Sequence, residues 1–129
     1  MDFYLDEQLP KTVAEALNAI EKHEGVNSVF STEEAFGKGV PDTELFTFLT
    51  DCNGILITND LKMKTRKNEF SIIKNLGVTV FIISLPSGVN YQIIYKTIID
   101  KWEEIKKICK KNSRPFVCRI KMRGESEFL

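Results

Sequence analysis

Apolar positions along this chain follow two rhythms. Short unbroken runs at residues 3–5, 55–58 and 78–83 alternate with longer stretches in which apolar residues return every three or four positions. Unbroken runs of this length read as strands buried on both faces, as in parallel sheets. Val26 to Phe30 reads as a further strand, and residues 115–122 as a last one. In that last run Phe116, Cys118 and Ile120 alternate with Val117, Arg119 and Lys121, the pattern of an edge strand with one solvated face. Between the strands, Val13, Ala14, Leu17 and Ile20 form a helical stripe after Pro10, which suits a first helical turn. Leu45, Phe46, Phe48 and Leu49 form the buried face of a second helix opened by Pro41-Asp42 and closed by Asn53-Gly54. A third helix runs through Ile72, Ile73 and Leu76 to Gly77. The longest spans residues 90–111, with Ile94, Thr97, Ile98, Lys101, Trp102, Ile105 and Ile108 on one stripe. A short helical turn is expected at residues 32–36, and residues 123–129 read as a loose tail.

Strand and helix alternate throughout, which predicts a single α/β domain: a three-layer sandwich around a mostly parallel central sheet. At 129 residues, 43% hydrophobic and 28% charged, the chain has the composition of an ordinary globular protein long enough to bury a core. Eighteen basic and eighteen acidic residues cancel, so a nucleic-acid signal has to come from local segregation of charge. No apolar run approaches the roughly 18 residues of a membrane span, and Met1-Asp2 opens no signal peptide. Cys52, Cys109 and Cys118 are odd in number and widely spaced, as expected of reduced thiols in a cytoplasmic protein.

The chemistry of interest is acidic. Asp6 follows the strand at residues 3–5, and Asp60 follows the strand at 55–58, where open α/β sheets place their ligands. No glycine-rich phosphate loop follows the first strand, because Asp6-Glu7-Gln8 stands there, which argues against a nucleotide site. Asp6, Glu7, Asp42, Glu44 and Asp60 are the candidate constellation. Carboxylates gathered in a cleft repel one another unless a cation sits among them, and hard oxygen ligands suit Mg²⁺ or Mn²⁺. Each also has a plainer reading. Asp42 fits a helix cap, Glu44 a solvated first-turn acid, and Glu7 a solvent-facing turn residue. Asp6 and Asp60 fit caps of the segments that follow them. What sets these two apart is their shared position at the end of an apolar strand.

Just beyond Asp60 come Lys62, Lys64, Arg66 and Lys67. Such a run is usually a solvated loop, but at the rim of an acidic site it would hold a nucleic-acid backbone through its phosphates. Arg114, Arg119, Lys121 and Arg123 form a second basic group that either extends this track or solvates an edge strand. His23 lies near a helix end and reads as a surface residue. Trp102, Phe46 and Phe48 read as core.

In order and spacing these segments resemble the PIN-like domain family. Phe3-Tyr4-Leu5-Asp6-Glu7-Gln8-Leu9-Pro10 is similar to the family's opening strand and acid. Pro41-Asp42-Thr43-Glu44-Leu45 resembles its central acidic helix start, and Ile55 through Asp60, followed by basic residues and Gly77-Val78-Thr79-Val80-Phe81, its third motif. The Trp-containing helix and Arg114-Pro115 resemble a toxin-like branch. The resemblance spans roughly residues 3–122. It implies a Rossmann-like sheet and an Mg²⁺- or Mn²⁺-dependent ribonuclease, often the toxin of a toxin–antitoxin pair, dimeric and inhibited by a small antitoxin protein. It assigns the metal to Asp6, Asp42 and Asp60, with Glu7 and Glu44 as helpers. Where many relatives carry a further acid, this chain has Lys62, so the alternative is a catalytically degenerate protein- or RNA-binding module.

Overall fold

Six strands form one sheet in the order β2-β1-β3-β4-β5-β6 in the computed structural model, which describes residues 1–59, 67–86 and 88–129, without the side chains of 67–70. The strands are β1 (Asp2–Leu5), β2 (Ser28–Ser31), β3 (Ile55–Asn59), β4 (Thr79–Ser84), β5 (Val117–Lys121) and β6 (Glu127–Phe128). The first five are parallel; β6 runs antiparallel to β5. The described helices are α1 (Lys11–Glu21), α2 (Thr32–Phe36), α3 (Asp42–Cys52), α4 (Lys67–Leu76) and α5 (Tyr91–Lys111). None is long and apolar enough to cross a membrane. This is the doubly wound α/β arrangement that alternating strand and helix predicted.

The unbroken apolar strands fill two cores, one on each face of the sheet. Phe3, Leu5, Ile55, Ile57, Phe81 and Ile83 face α1 and α5, where Leu17, Trp102 and Ile105 meet them. Tyr4, Leu56, Val80 and Ile82 face the other way, onto Leu45, Phe46, Leu49 and Ile73 of α3 and α4. Successive strand residues thus serve opposite layers, which is why these runs carry no polar alternation. Trp102 meets Phe3 edge-on, with ring centroids 4.8 Å apart.

Between α3 and β3 the chain turns in little space. Asn53 takes the left-handed cap (φ 56°), and the Gly54 amide donates to the Leu49 carbonyl at 2.9 Å. Gly54 lies against the Tyr4 ring, where a Cβ would come within 2.6 Å of a ring carbon. Only glycine fits there without displacing a core aromatic.

Four expectations need correction. β5 is not an edge strand, because residues 123–129 turn back and supply β6; the Leu129 amide donates to the Val117 carbonyl at 2.8 Å. The tail is therefore paired rather than loose. Asp42 does not cap α3: Pro41 holds the cap position without a side-chain bond, and Asp42 is the first helical residue. Phe48 is not core; it is 39% exposed and stacks on Phe36. Only Leu45, Phe46 and Leu49 of that stripe are buried, and Phe48 lies at its flank. At the other edge, Asn18 of α1 pairs with both the amide and the carbonyl of Val29, closing the open side of β2.

Candidate functional site

In a parallel sheet every strand exits at the same edge, and every connecting helix starts there. From β1 the chain crosses to β2 on one side, while β3 lies on the other, so the β1–β3 boundary is where the winding reverses. The connections leaving β1 and β3 run to helices on opposite faces of the sheet and leave a crevice for a ligand between them.

Asp6 occupies that crevice. Its amide extends the ladder by one bond, donating to the Ile57 carbonyl at 3.0 Å, and its carbonyl accepts from the Leu9 amide at 2.9 Å to close a turn. Asp6 is buried, only 3% exposed. Thr58 Oγ1 of β3 donates to Asp6 Oδ2 at 2.9 Å, and the Glu7 amide donates to Oδ1 at 2.9 Å. These two bonds use two of the four lone-pair sites of a carboxylate and fix its plane. The side chain does not cap α1, whose cap position is Pro10 without a side-chain bond.

Glu7 is exposed, and its Oε1 accepts from the Gly39 amide at 2.7 Å. It thereby ties the loop before α3 to the β1 exit. That tether brings Asp42, half-buried in the first turn of α3, to the same edge as Asp6, where the helix dipole favours its charge. Glu44 is exposed on that turn and lines a shallow groove with Thr43, Thr47 and Phe48. Asp60, Lys62, Lys64 and Arg66 lie outside the described residues. Among the described residues no group of three or more His, Cys, Asp or Glu side chains could hold a metal ion. Asp6, Glu7, Asp42 and Glu44 alone therefore do not build a metal centre. The donors they offer are nonetheless hard oxygens, with Asp6 braced from outside as metal-binding carboxylates usually are.

Thr58, whose hydroxyl holds the Asp6 carboxylate, is a residue that the sequence pattern passed over. Its signal was a lone hydroxyl inside an apolar strand, on β3 directly beside the end of β1. Thr32, the residue after β2, is 3% exposed, and its Oγ1 has no hydrogen-bond partner among the described residues.

The remaining charged groups are placed differently from one another. Arg119 and Lys121 both pair with Glu127 at 3.1 Å, and Arg114 donates to the Asn53 carbonyl at 3.2 Å at the opposite edge of the sheet. His23 is exposed. Also at the opposite edge, Lys106 Nζ meets Glu21 at 2.8 Å, Glu24 at 3.0 Å and Glu103 at 2.8 Å, and Trp102 Nε1 donates to Glu21 at 2.7 Å. Burial pushes the Glu21 carboxyl up, but the bonds from Lys106, Trp102 and Asn27 outweigh it and hold the group below its ordinary value. Burial likewise pushes Lys106 down, and its bonds to Glu103, Glu21 and Glu24 carry it above the ordinary lysine range. This cluster joins α1 to α5 and stands apart from the crevice. An apolar cavity of about 360 Å³, lined by Lys74, Val78, Pro115, Phe116 and Phe128 among others, is likewise remote from Asp6.

A family model described as a PIN-like domain matches residues 1–85. No curated protein and no solved structure gives a significant match to the chain.

Proposed function

The chain belongs to the PIN-like domain family, a nuclease-type fold, and from that premise we propose that it is a metal-dependent endoribonuclease acting as the toxin of a toxin–antitoxin pair. The observation that carries the reading is Asp6: a buried carboxylate at the winding reversal, held in one orientation by a hydroxyl from the neighbouring strand. Asp6, Asp42 and Asp60 would hold Mg²⁺ or Mn²⁺ in this reading. When bound, such an ion lowers the pKa of its water and neutralises charge on a phosphodiester under in-line attack.

The protein's own contribution is placement. Thr58 and the Glu7 amide keep the Asp6 carboxylate from turning away. Glu7, tied to Gly39, sets the α3 start and with it Asp42; this makes Glu7 a positioning residue, while Glu44 faces outward. Lys62, Lys64 and Arg66 contact the RNA backbone through phosphates, which gives affinity without base specificity. The toxin assignment draws on the likeness of the Trp102 helix and Arg114-Pro115 to the toxin-like branch. It carries with it a cytoplasmic setting, a homodimer and a small antitoxin that blocks the site.

The test is cleavage of mixed RNAs with Mg²⁺ or Mn²⁺ by wild type, Asp6→Asn and Asp60→Asn, with growth followed on induced expression. Metal-dependent cleavage by wild type, its loss in both variants, and growth arrest by wild type alone are expected. Equal cleavage by all three proteins would refute the assignment. The second reading, a degenerate binding module, is favoured by Lys62, which stands where many relatives carry a further acid. No cleavage with either metal would establish it.

A further inference from the structure

A stack of aromatic rings crosses the outer flank of the sheet. Phe30 of β2 lies on Tyr4 of β1 with ring centroids 5.2 Å apart, Tyr4 on Phe36 of α2 at 5.1 Å, and Phe36 on Phe48 of α3 at 5.2 Å. Tyr4 is buried, but the two end rings are not: Phe30 is 37% exposed and Phe48 39%. The stack is held from behind. Gly54 packs against the Tyr4 ring, and the Ser31 hydroxyl caps α2 by accepting from the Glu34 amide at 3.1 Å. The exposed rings are therefore fixed before any partner arrives, which removes an ordering cost from binding.

Carboxylates frame these rings. Along α3, Glu44 stands four residues before Phe48 and Asp51 three after it, so the three share one side of the helix. Glu44 and Phe48 line a shallow groove together. Asp2 is two residues from Tyr4 on β1 and shares its face of the sheet. All three acids are exposed, and none is in an ion pair among the described residues. Residues 28–53 hold five acids and a single base, Lys38. Such a surface repels a polyanion. A second copy related by a two-fold axis would bring the same carboxylates face to face.

We infer that this flank, from Phe30 to Phe48, is a docking surface for a basic protein segment that carries arginines beside an apolar anchor. A guanidinium lies flat on an aromatic ring and pairs with a carboxylate at its edge, and α3 offers both within one turn on either side of Phe48. The anchor covers the exposed rings. The inference goes beyond the nuclease reading and stands apart from it, because it concerns the outer side of α2 and α3 and not the crevice of Asp6.

The test is anisotropy of a labelled helical peptide of arginine and leucine, titrated with the full chain. Wild type is expected to bind it saturably, and to bind a lysine–leucine counterpart more weakly, because an ammonium has no planar face. Phe48→Ala is expected to weaken binding at least about tenfold, as loss of a central aromatic anchor does. E44Q/D51N, which leaves the stack untouched, is expected to weaken it and to reduce its sensitivity to salt. Asp100→Asn, an equal change of charge for one acid on α5, is expected to change nothing. No saturable binding by wild type overturns the surface. Binding that Phe48→Ala leaves intact, or that Asp100→Asn weakens as much as E44Q/D51N, overturns it as well, since diffuse charge then suffices. Sedimentation of wild type alone supplies the last outcome: self-association that Phe48→Ala abolishes overturns the basic segment in favour of a second copy. RNA cleavage enters none of these measurements, so the nuclease reading stands or falls separately.

Discussion

Thr58 and Asp6 are 52 positions apart and share one hydrogen bond, which makes the threonine a direct probe of the aspartate. Thr58→Val preserves shape and burial and removes the donor. The Asp6 carboxylate then keeps the Glu7 amide but loses the brace from β3. Where Asp6 holds a metal, as proposed above, loss of the bond that orients it lowers activity or metal affinity by about 10- to 100-fold. The expected outcome is that fall in RNA cleavage with the circular dichroism spectrum unchanged, and rescue by Thr58→Ser, which restores the hydroxyl. A Thr58→Val protein as active as wild type would show that Asp6 needs no bracing. The acid was legible in the sequence because it ends an apolar strand. Its partner was not, because a single hydroxyl in a buried run does not reveal which neighbouring strand it will face.

At the scale of elements, strands and helices were legible because the two periodicities differ so clearly. What escaped were features set by contacts distant in sequence. Residues 123–129 look featureless until β5 offers them an edge. Glu21 and Lys106 fall on helical stripes that composition marks as polar, yet both are buried where α1 meets α5. Removing one partner of a buried ion pair strands the other charge, at about 3–5 kcal/mol. Lys106→Met is therefore expected to lower the melting temperature sharply, and pairing it with Glu21→Gln to recover part of the loss. The pH dependence follows from the two shifts. Glu21 is held low, so its contribution is present above the ordinary carboxylate value and fades as pH falls through the folded value. Lys106 is held high, so its contribution is complete below the ordinary lysine value and fades as pH rises through the folded one. Stability measured across pH is expected to be flat near neutrality with both limbs shallower in the double variant. Limbs identical to wild type would place the titrating groups elsewhere.

For the whole molecule, the open question is whether the sheet edge gathers enough oxygen ligands to bind an ion. The family match ends at residue 85 and so includes Asp6, Asp42 and Asp60. α5 and β5 fall outside it, yet they supply Trp102, Ile105, Cys118 and Ile120 to the core on which β1 rests. The position of Asp6 thus depends on the entire sheet, and ion binding should register in global stability. An ion that binds only the folded chain adds about 2.7 kcal/mol at a concentration 100 times its Kd. For a chain of this size that corresponds to a rise in melting temperature of roughly 10 °C. Wild type is expected to show this rise with Mn²⁺ and to lose it on chelation. Asp6→Asn should show little of it. Glu44→Gln should behave as wild type, since Glu44 faces the outer groove of α3. Equal shifts in wild type and Asp6→Asn would put the ion somewhere other than the winding reversal and would separate metal binding from the Asp6 crevice.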